Sequence, residues 1–285
     1  MRSAHLVGTN GDVISLNLEA FDSYTVNGHI GGAGFIPQEV STVAGAADGD
    51  SLRNTRTPAR DIDIPIGMFG TDEDEINSLM RRLSLALRWR RGRPMPRFVV
   101  TIGSEAYFLE VVLVTPSNVD ADFYPDSSSW LFTFRAPQPH WQAVDPVNLP
   151  VYGQETVDPL LPELLPDVSL ASASVLGVVE IDNPGTEDAP VVWILTGPFT
   201  SCVVAVDGRG FTVGAVEAGE VITVDTRKPK RVTDATGANR WPLLSPAPKL
   251  FHLPPGRSMV TLSAEDATED TRVTGFFYPR ISTVH

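Results

Sequence analysis

The stretch IDNPGTEDAPVVWILTGP, residues 181–198, decides the fold. Its apolar, β-branched centre is bounded by Asn, Gly and Pro, which favour turns, so it predicts a short buried strand between two turns. The same pattern, an apolar run bounded by turn residues, recurs in VEAGEVITVDTRKPKRV at 216–232 and in LFHLPPGRSMVTLS at 250–263. Together they predict an antiparallel β-sandwich. We predict its strands near 175–182, 190–196, 201–207, 211–213, 220–225, 250–252, 258–263 and 271–278.

The N-terminal half also favours strands. In HLVGTNGDVISLN, residues 5–17, the pair Asn10-Gly11 predicts a hairpin with a two-residue type I′ turn. RFVVTIGSEAYFLEVVLV, residues 97–114, predicts a second hairpin around Gly103-Ser104. We therefore expect a mainly β protein whose N-terminal domain is sandwich-like.

One long α-helix is predicted over about residues 72–91. Thr71 is the expected N-cap, Asp74 takes the capping-box position and Gly92 takes C′. The acidic first turn and the arginine-rich end suit the helix dipole. The apolar stripe that should pack on a sheet is Ile76, Leu79, Met80, Leu83 and Leu87. The candidate contacts with a neighbouring subunit are Arg88, Arg90, Arg91 and Arg93.

A proline-rich segment divides the chain. Seven prolines lie between residues 137 and 166, and proline is excluded from central strands. We expect domains at 1–141 and 173–285 with a connector at 142–172. The leucines of DPLLPELLP, residues 158–166, leave open a second interpretation, an extended arm packed on a domain or a neighbouring molecule.

In their order along the chain, these segments resemble the distal tail (Dit) proteins of long-tailed bacteriophages, the siphoviruses. The C-terminal positions that carry the resemblance are Asn183, Gly185, Gly197, Pro198, Gly219, Glu220, Asp225, Thr226, Leu253, Pro255 and Gly256. The N-terminal half adds the opening hairpin and the segment WLFTFRAPQPHWQ at 130–142. The remaining N-terminal positions are Gly49, Arg56, Pro58 and Arg60.

The resemblance implies a fold and a role. The fold would be an N-terminal ring domain followed by a C-terminal galectin-like β-sandwich. The role would be that of a minor tail protein of the virion, made in the host cytoplasm. It would form a homo-hexameric ring at the tail tip, between the tail tube protein and the tip hub, and anchor other minor tail proteins in the baseplate.

Composition argues against several other classes of protein. The net charge of −13 opposes tight binding to nucleic acid, so DNA would pass through such a ring without specific binding.

Cys202 is the one cysteine and lies in an apolar run, which predicts a buried, inert thiol. The five histidines are dispersed, and no nucleophile elbow or P-loop is present, so we expect no enzyme, no metal and no cofactor. The first residues lack the apolar core of a secretory signal, and no apolar run reaches 18 residues.

Two alternative functions stay open. An exposed Trp241, in the loop GANRWPLL, could stack on a host surface saccharide, as in a carbohydrate- or receptor-binding tail protein. A cell-wall hydrolase would need a carboxylate pair, for which Asp61 and Asp63 share one strand face. Asn118, Asp120 and Asp122 alternate as in a calcium loop, but Phe123 stands where that loop needs glycine.

Overall fold

The computed structural model describes residues 2–18, 22–45, 48–118, 126–153 and 177–284. The elements of its N-terminal part are β1 (Arg2–Val7), β2 (Val13–Leu16), β3 (Tyr24–Val26), β4 (Glu39–Ala44), β5 (Asp50–Arg56), β6 (Arg60–Phe69), α1 (Glu73–Leu87), β7 (Arg97–Ile102), β8 (Glu105–Glu110), β9 (Val112–Asn118), β10 (Ser127–Ala136) and β11 (Trp141–Ala143). Those of the C-terminal part are β12 (Val147–Asn148), β13 (Tyr152–Gly153), β14 (Gly177–Asn183), β15 (Ala189–Thr196), β16 (Ser201–Val206), β17 (Arg209–Val213), β18 (Val221–Asp225), β19 (Arg231–Asp234), β20 (His252–Leu253), β21 (Gly256–Glu265), β22 (Arg272–Phe277) and β23 (Arg280–Ile281). The described chain is mainly β with one α-helix, as predicted.

The chain packs as two compact units whose bounds differ from the predicted domains. The first is Met1–Val144 with Ile281–His285, and the second is Asp145–Arg280. The start of the predicted connector lies in strands, because β11 pairs with β8 while β12 and β13 pair with β22. The leucine-rich segment 158–166 lies outside the described residues.

Two sheets and the helix enclose the core of the first unit. Within the described residues, one sheet has the order β2–β1–β7–β8–β11–β23 and the other β3–β6–β10–β9. Alternate residues of β6, from Ile62 to Met68, are buried in this core beside Phe134 and Trp141. The period-2 burial of β6 matches a strand with one face on the core.

The first hairpin forms, but its turn is not the predicted type I′. The strands pair Val7 with Val13, and the Gly8 N–H donates to the Asp12 carbonyl at 2.8 Å. Three residues are left in the loop, of which only Gly11 has a positive φ, +81°. A three-residue loop needs glycine only at its left-handed position, so Asn10 keeps a negative φ.

The helix is shorter than predicted, and its cap is one residue later. Asp72, not Thr71, is the N-cap, and its carboxylate accepts from the Glu75 N–H at 2.9 Å. Glu75, not Asp74, reaches back, accepting from the Thr71 N–H at 2.7 Å. The helix ends at Leu87 because the Trp89 N–H turns back to the Leu87 carbonyl, so Gly92 is not its C′ residue.

The apolar face of the helix packs as expected. Ile76, Leu83 and Leu87 are buried, and Leu79 and Met80 are partly buried against the same core. The helix therefore covers the sheet that contains β6.

The predicted hairpin at 97–114 is confirmed at its turn, but the strand predicted after the turn is divided between the two sheets. β7 and β8 meet at the predicted Gly103-Ser104 turn. At Val111, which is fully buried, the chain leaves the first sheet, and β9 joins the second beside β10. Residues 105–114 are consequently two strands rather than one.

The second unit is a β-sandwich. Within the described residues, β12, β22, β15, β18 and β19 form one sheet in that order, with β13 on β22 and β20 on β15. The other has the order β14–β21–β16–β17. Trp193 and Phe277 are fully buried in the shared core, as is Cys202, whose burial raises the pKa of its thiol to about 12. β19 is an additional strand that the sequence pattern did not predict.

Candidate assembly surfaces

The four candidate arginines lie on the loop that follows α1, not on the helix. The Arg93 N–H donates to the Arg90 carbonyl at 3.0 Å, which closes a turn with Gly92 at φ +88°. The Trp89 indole N–H donates to the Arg93 carbonyl at 3.0 Å and fixes the loop. Arg88, Arg90, Arg91 and Arg93 are exposed and form no ion pair with the described residues. The loop thus presents positive charge at the surface that no acidic side chain of the described residues pairs.

An apolar groove, which we call the helix groove, begins beside this loop. It has a volume of about 420 Å³ and opens between α1 and the sheet that contains β6, β9 and β10. Its lining is Met68, Met80, Leu83, Ser84, Leu87, Arg88, Leu113, Trp130 and Phe132. Arg88 is its one charged residue and lies beyond the last turn of the helix, so one end of the groove is positive while the rest is apolar apart from Ser84.

The β4–β5 hairpin is a second surface, which sequence reasoning missed. Every residue of both strands is exposed. The strand pairing puts Val40, Thr42 and Leu52 on one face, which we call the apolar hairpin face, and Glu39 and Arg56 on the other, joined by an ion pair. The two valines of EVSTVA, Val40 and Val43, fall on opposite faces, and the register is irregular between Ser41 and Thr42, so no simple period-2 pattern in the sequence marks this face.

Where β6 begins and β10 ends, the outward face of the four-stranded sheet is polar. Asp61 accepts both guanidinium hydrogen bonds of Arg135 at 2.8 Å, and these bonds lower the pKa of its carboxyl group. Asp63 accepts from the Thr133 hydroxyl at 2.7 Å. The two carboxylates share a face, as predicted, but each binds a neighbour on β10, which leaves the hydrolase interpretation without support from this pair.

Trp241 lies in the second unit, at the start of a single 3₁₀ turn, Trp241–Leu243. Its side chain is partly exposed, and the Trp241 backbone N–H donates to Asn239 Oδ1 at 3.0 Å. The adjacent Arg240 forms ion pairs with Asp234 and Glu220 at 2.9 and 3.1 Å. A partly exposed ring therefore lies beside hydrogen-bonding side chains, apart from the arginine loop in sequence.

No clustering of metal-ligating side chains was found within the described ranges. The alternating residues Asp120 and Asp122 of the calcium-like pattern fall outside those ranges. No helix in the described part of the chain is long and apolar enough to cross a membrane.

Solved structures provide the comparison with known proteins. No family model and no curated protein matches the chain. The structure is similar over 98% of this chain and 99% of the other to the SPP1 Dit protein, described as a paradigm of the hub adsorption apparatus in phages that infect Gram-positive bacteria, with a TM-score of 0.65 at 14% identity. Chains of the phage P2 baseplate in its activated conformation, with calcium and with strontium, match over 100% of both chains with TM-scores of 0.60 at 11% identity. The chain therefore has the fold of a phage Dit or baseplate component.

Proposed function

We propose that this chain is a distal tail protein, a structural subunit whose homo-hexameric ring joins the tail tube to the tail tip. One observation carries the proposal: the likeness to the Dit hub protein extends over both units and nearly the full length of both chains. A shared fold does not by itself assign a function, but a match of two joined units is more specific than a match of one common sandwich.

The two units have different roles in this proposal. The first unit forms the ring on the tail tube protein, with the tip hub below it. The second unit points outward and anchors other minor tail proteins. The protein is made in the host cytoplasm and resides in the virion at the tail tip.

Ring closure needs two different surfaces on each subunit. A head-to-tail contact repeated by rotation closes into a ring, and without closure it would produce a filament. The first unit carries two such candidate surfaces, the arginine loop with its helix groove and the exposed β4–β5 hairpin. Their presence on one unit supports a ring-forming role for that unit.

Negative-stain imaging of tails labelled with an antibody against this chain tests the proposal. The label should lie at the distal end of the tail, and end-on averages of the labelled layer should have sixfold symmetry. Label along the tube or at the head would contradict the proposed position. Threefold or fivefold averages would contradict the hexamer.

A saccharide-binding tail protein is the second candidate. It rests on the partial exposure of Trp241, which in the second unit contrasts with the fully buried Trp193; Trp89 of the first unit is exposed to the same degree as Trp241. Host cell-wall saccharide should then bind the protein and lose affinity when Trp241→Ala is introduced. Equal retention of the wild-type and variant proteins on host cell walls would remove Trp241 from consideration.

A further inference from the structure

We infer that the apolar hairpin face of one subunit packs into the helix groove of the next. This inference rests on the proposed ring and names the surfaces that hold it together. Both surfaces belong to the first unit, so each copy offers one and accepts the other.

The hairpin needs a partner because of its own energetics. An isolated two-stranded hairpin is marginally stable in water. Here Val40 is 59% exposed and Leu52 is 65% exposed, although they are diagonal neighbours on one face. Burial of that face against a second surface would supply the stability that the hairpin lacks alone.

The groove has the matching chemistry. Its lining is almost wholly apolar, and its volume of about 420 Å³ is within the range of pockets that hold ligands. It lies between packed elements that already share the core of the first unit, so it is preformed. An apolar side chain that entered it would leave water without displacing a protein neighbour.

Charge sets the direction of docking. Along the apolar hairpin face, Val40 and Leu52 are followed towards the tip by Asp50, which pairs with Ala44. Along the helix groove, Met80 and Leu87 are followed by Arg88. If the tip points to the end of the helix, the apolar residues meet the groove while Asp50 meets Arg88 of the next copy.

The groove is therefore occupied by the β4–β5 hairpin of a second copy of this chain. The hairpin is exposed on its own subunit, and the order of apolar residues and charge on the hairpin is complementary to that on the groove. The arginine loop then acts as the charged rim of the same interface, which gives the sequence-predicted Arg88 a partner, Asp50.

Paired aspartate substitutions on the hairpin test the inference. Leu52→Asp replaces the apolar side chain next to Asp50 on the apolar hairpin face by a second charge, whereas Val43→Asp, at a similarly exposed position on the opposite face, is the matched control. We expect the fraction of full-length protein in rings, counted in negative stain, to fall by more than about tenfold for Leu52→Asp, which corresponds to at least about 1.4 kcal/mol of contact free energy. Val43→Asp should form rings as the wild type does.

A charge exchange tests the direction in which the hairpin docks. Asp50→Arg and Arg88→Asp should each reduce ring formation, and the double variant should restore it, since both side chains are exposed and neither change disturbs the core.

Disulfide formation tests the contact between the two surfaces directly. Leu52→Cys with Ser84→Cys should form links between chains on oxidation, and Val43→Cys with Ser84→Cys should not.

The possible failures are distinguishable. Wild-type protein that forms no ring, in solution or in tails, would count against the proposed function. Rings that form equally well with Leu52→Asp, or a cysteine link within a single chain, would overturn this inference and leave the proposed function intact.

Discussion

At the scale of single residues, the turn motifs of the second unit contact one another. The buried Asn183 amide donates to the carbonyls of Leu253 and Pro254 at 3.0 and 3.2 Å, and its Oδ1 accepts from Gly185 N–H. The Thr226 hydroxyl donates to the Val191 carbonyl at 2.9 Å. These polar side chains join segments that are distant in sequence.

Asn183→Ala should lower the free energy of unfolding by at least about 1–3 kcal/mol, because it leaves buried carbonyls without donors. Asn54→Ala, on the exposed hairpin, is the control and should change it by less than about 0.5 kcal/mol. Urea denaturation measures both. Equal midpoints for the two variants would show that the Asn183 bonds contribute nothing net.

Asp234 organises the loop before Trp241 and gives a pH prediction. Hydrogen bonds from the Thr236 hydroxyl first, and from Ala238 N–H and Arg240, lower the pKa of its carboxyl group to about 2. Because the folded pKa is below the unfolded value of about 3.9, this stabilisation is complete above about pH 5 and is lost as the pH falls through the folded value near 2. A carboxyl titration by NMR should give a midpoint near 2, and Asp234→Asn should flatten stability over that window. A midpoint near 4 would contradict the loop geometry.

At the scale of elements, α1 and the loop after it combine a buried face with the surface proposed for assembly. Its buried face packs on the core, while the arginine loop and one edge of the helix border open surface. The arginine loop can therefore be changed without touching the core, whereas Leu83 belongs both to the core and to the lining of the helix groove.

Leu83→Ala should destabilise the protein by about 2–5 kcal/mol because it removes buried methyl groups. Leu85→Ala, exposed on the same helix, is the matched control and should have little effect. Arg90→Glu with Arg91→Glu should leave the melting temperature unchanged and weaken ring formation. Equal melting shifts for Leu83→Ala and the arginine pair would refute this division.

At the scale of the whole molecule, the first unit is built from two separated parts of the chain, and the second closes its sheet with strands from its two ends. In the first unit, the Arg60 guanidinium donates to the carbonyls of Ala33 and Ser282, and its burial lowers its pKa to about 10. In the second, Val147 and Tyr152 lie on strands paired with β22. The C-terminal end of the chain thus belongs to the unit formed mainly by the N-terminal half.

A specific protease site introduced between residues 158 and 166 tests this arrangement. After cleavage the two fragments should co-elute, because β12 and β13 pair with β22 and the segment Ile281–Val284 stays in the first unit. Separation should require denaturant. Fragments that separated in native buffer would favour two independent domains joined by a simple connector.

DNA should not bind the free protein at physiological salt. Residues 1–140 hold 17 acidic and 12 basic residues, and phosphate binding depends on basic contacts. Duplex DNA in a gel-shift or anisotropy assay should show no salt-sensitive complex. Micromolar binding that disappeared with Arg90→Glu and Arg91→Glu would place the arginine loop in the channel of the ring.

Local sequence signals account for most of the strands, the helix and the two hairpins. Turn residues such as Asn183 and Gly103, and the spacing from Ile76 to Leu87, act over a few residues and are readable without any partner. They also mark Arg88, Arg90, Arg91 and Arg93 as a basic cluster. The predicted N-cap was wrong by one residue, because Asp72 and Thr71 can both cap the helix and differ little in free energy. The predicted turn of the first hairpin was wrong for the same reason, since a three-residue loop and a two-residue loop also differ little in free energy.

Long-range packing decided the rest. Which sheet a strand joins depends on partners distant in sequence, so the switch at Val111 and the return of Ile281–Val284 to the first unit have no local signature. The candidate assembly site is of the same kind. The helix groove exists only because α1, β6, β9 and β10 are brought together, and the hairpin is exposed only because no other element of its own chain covers it within the described residues.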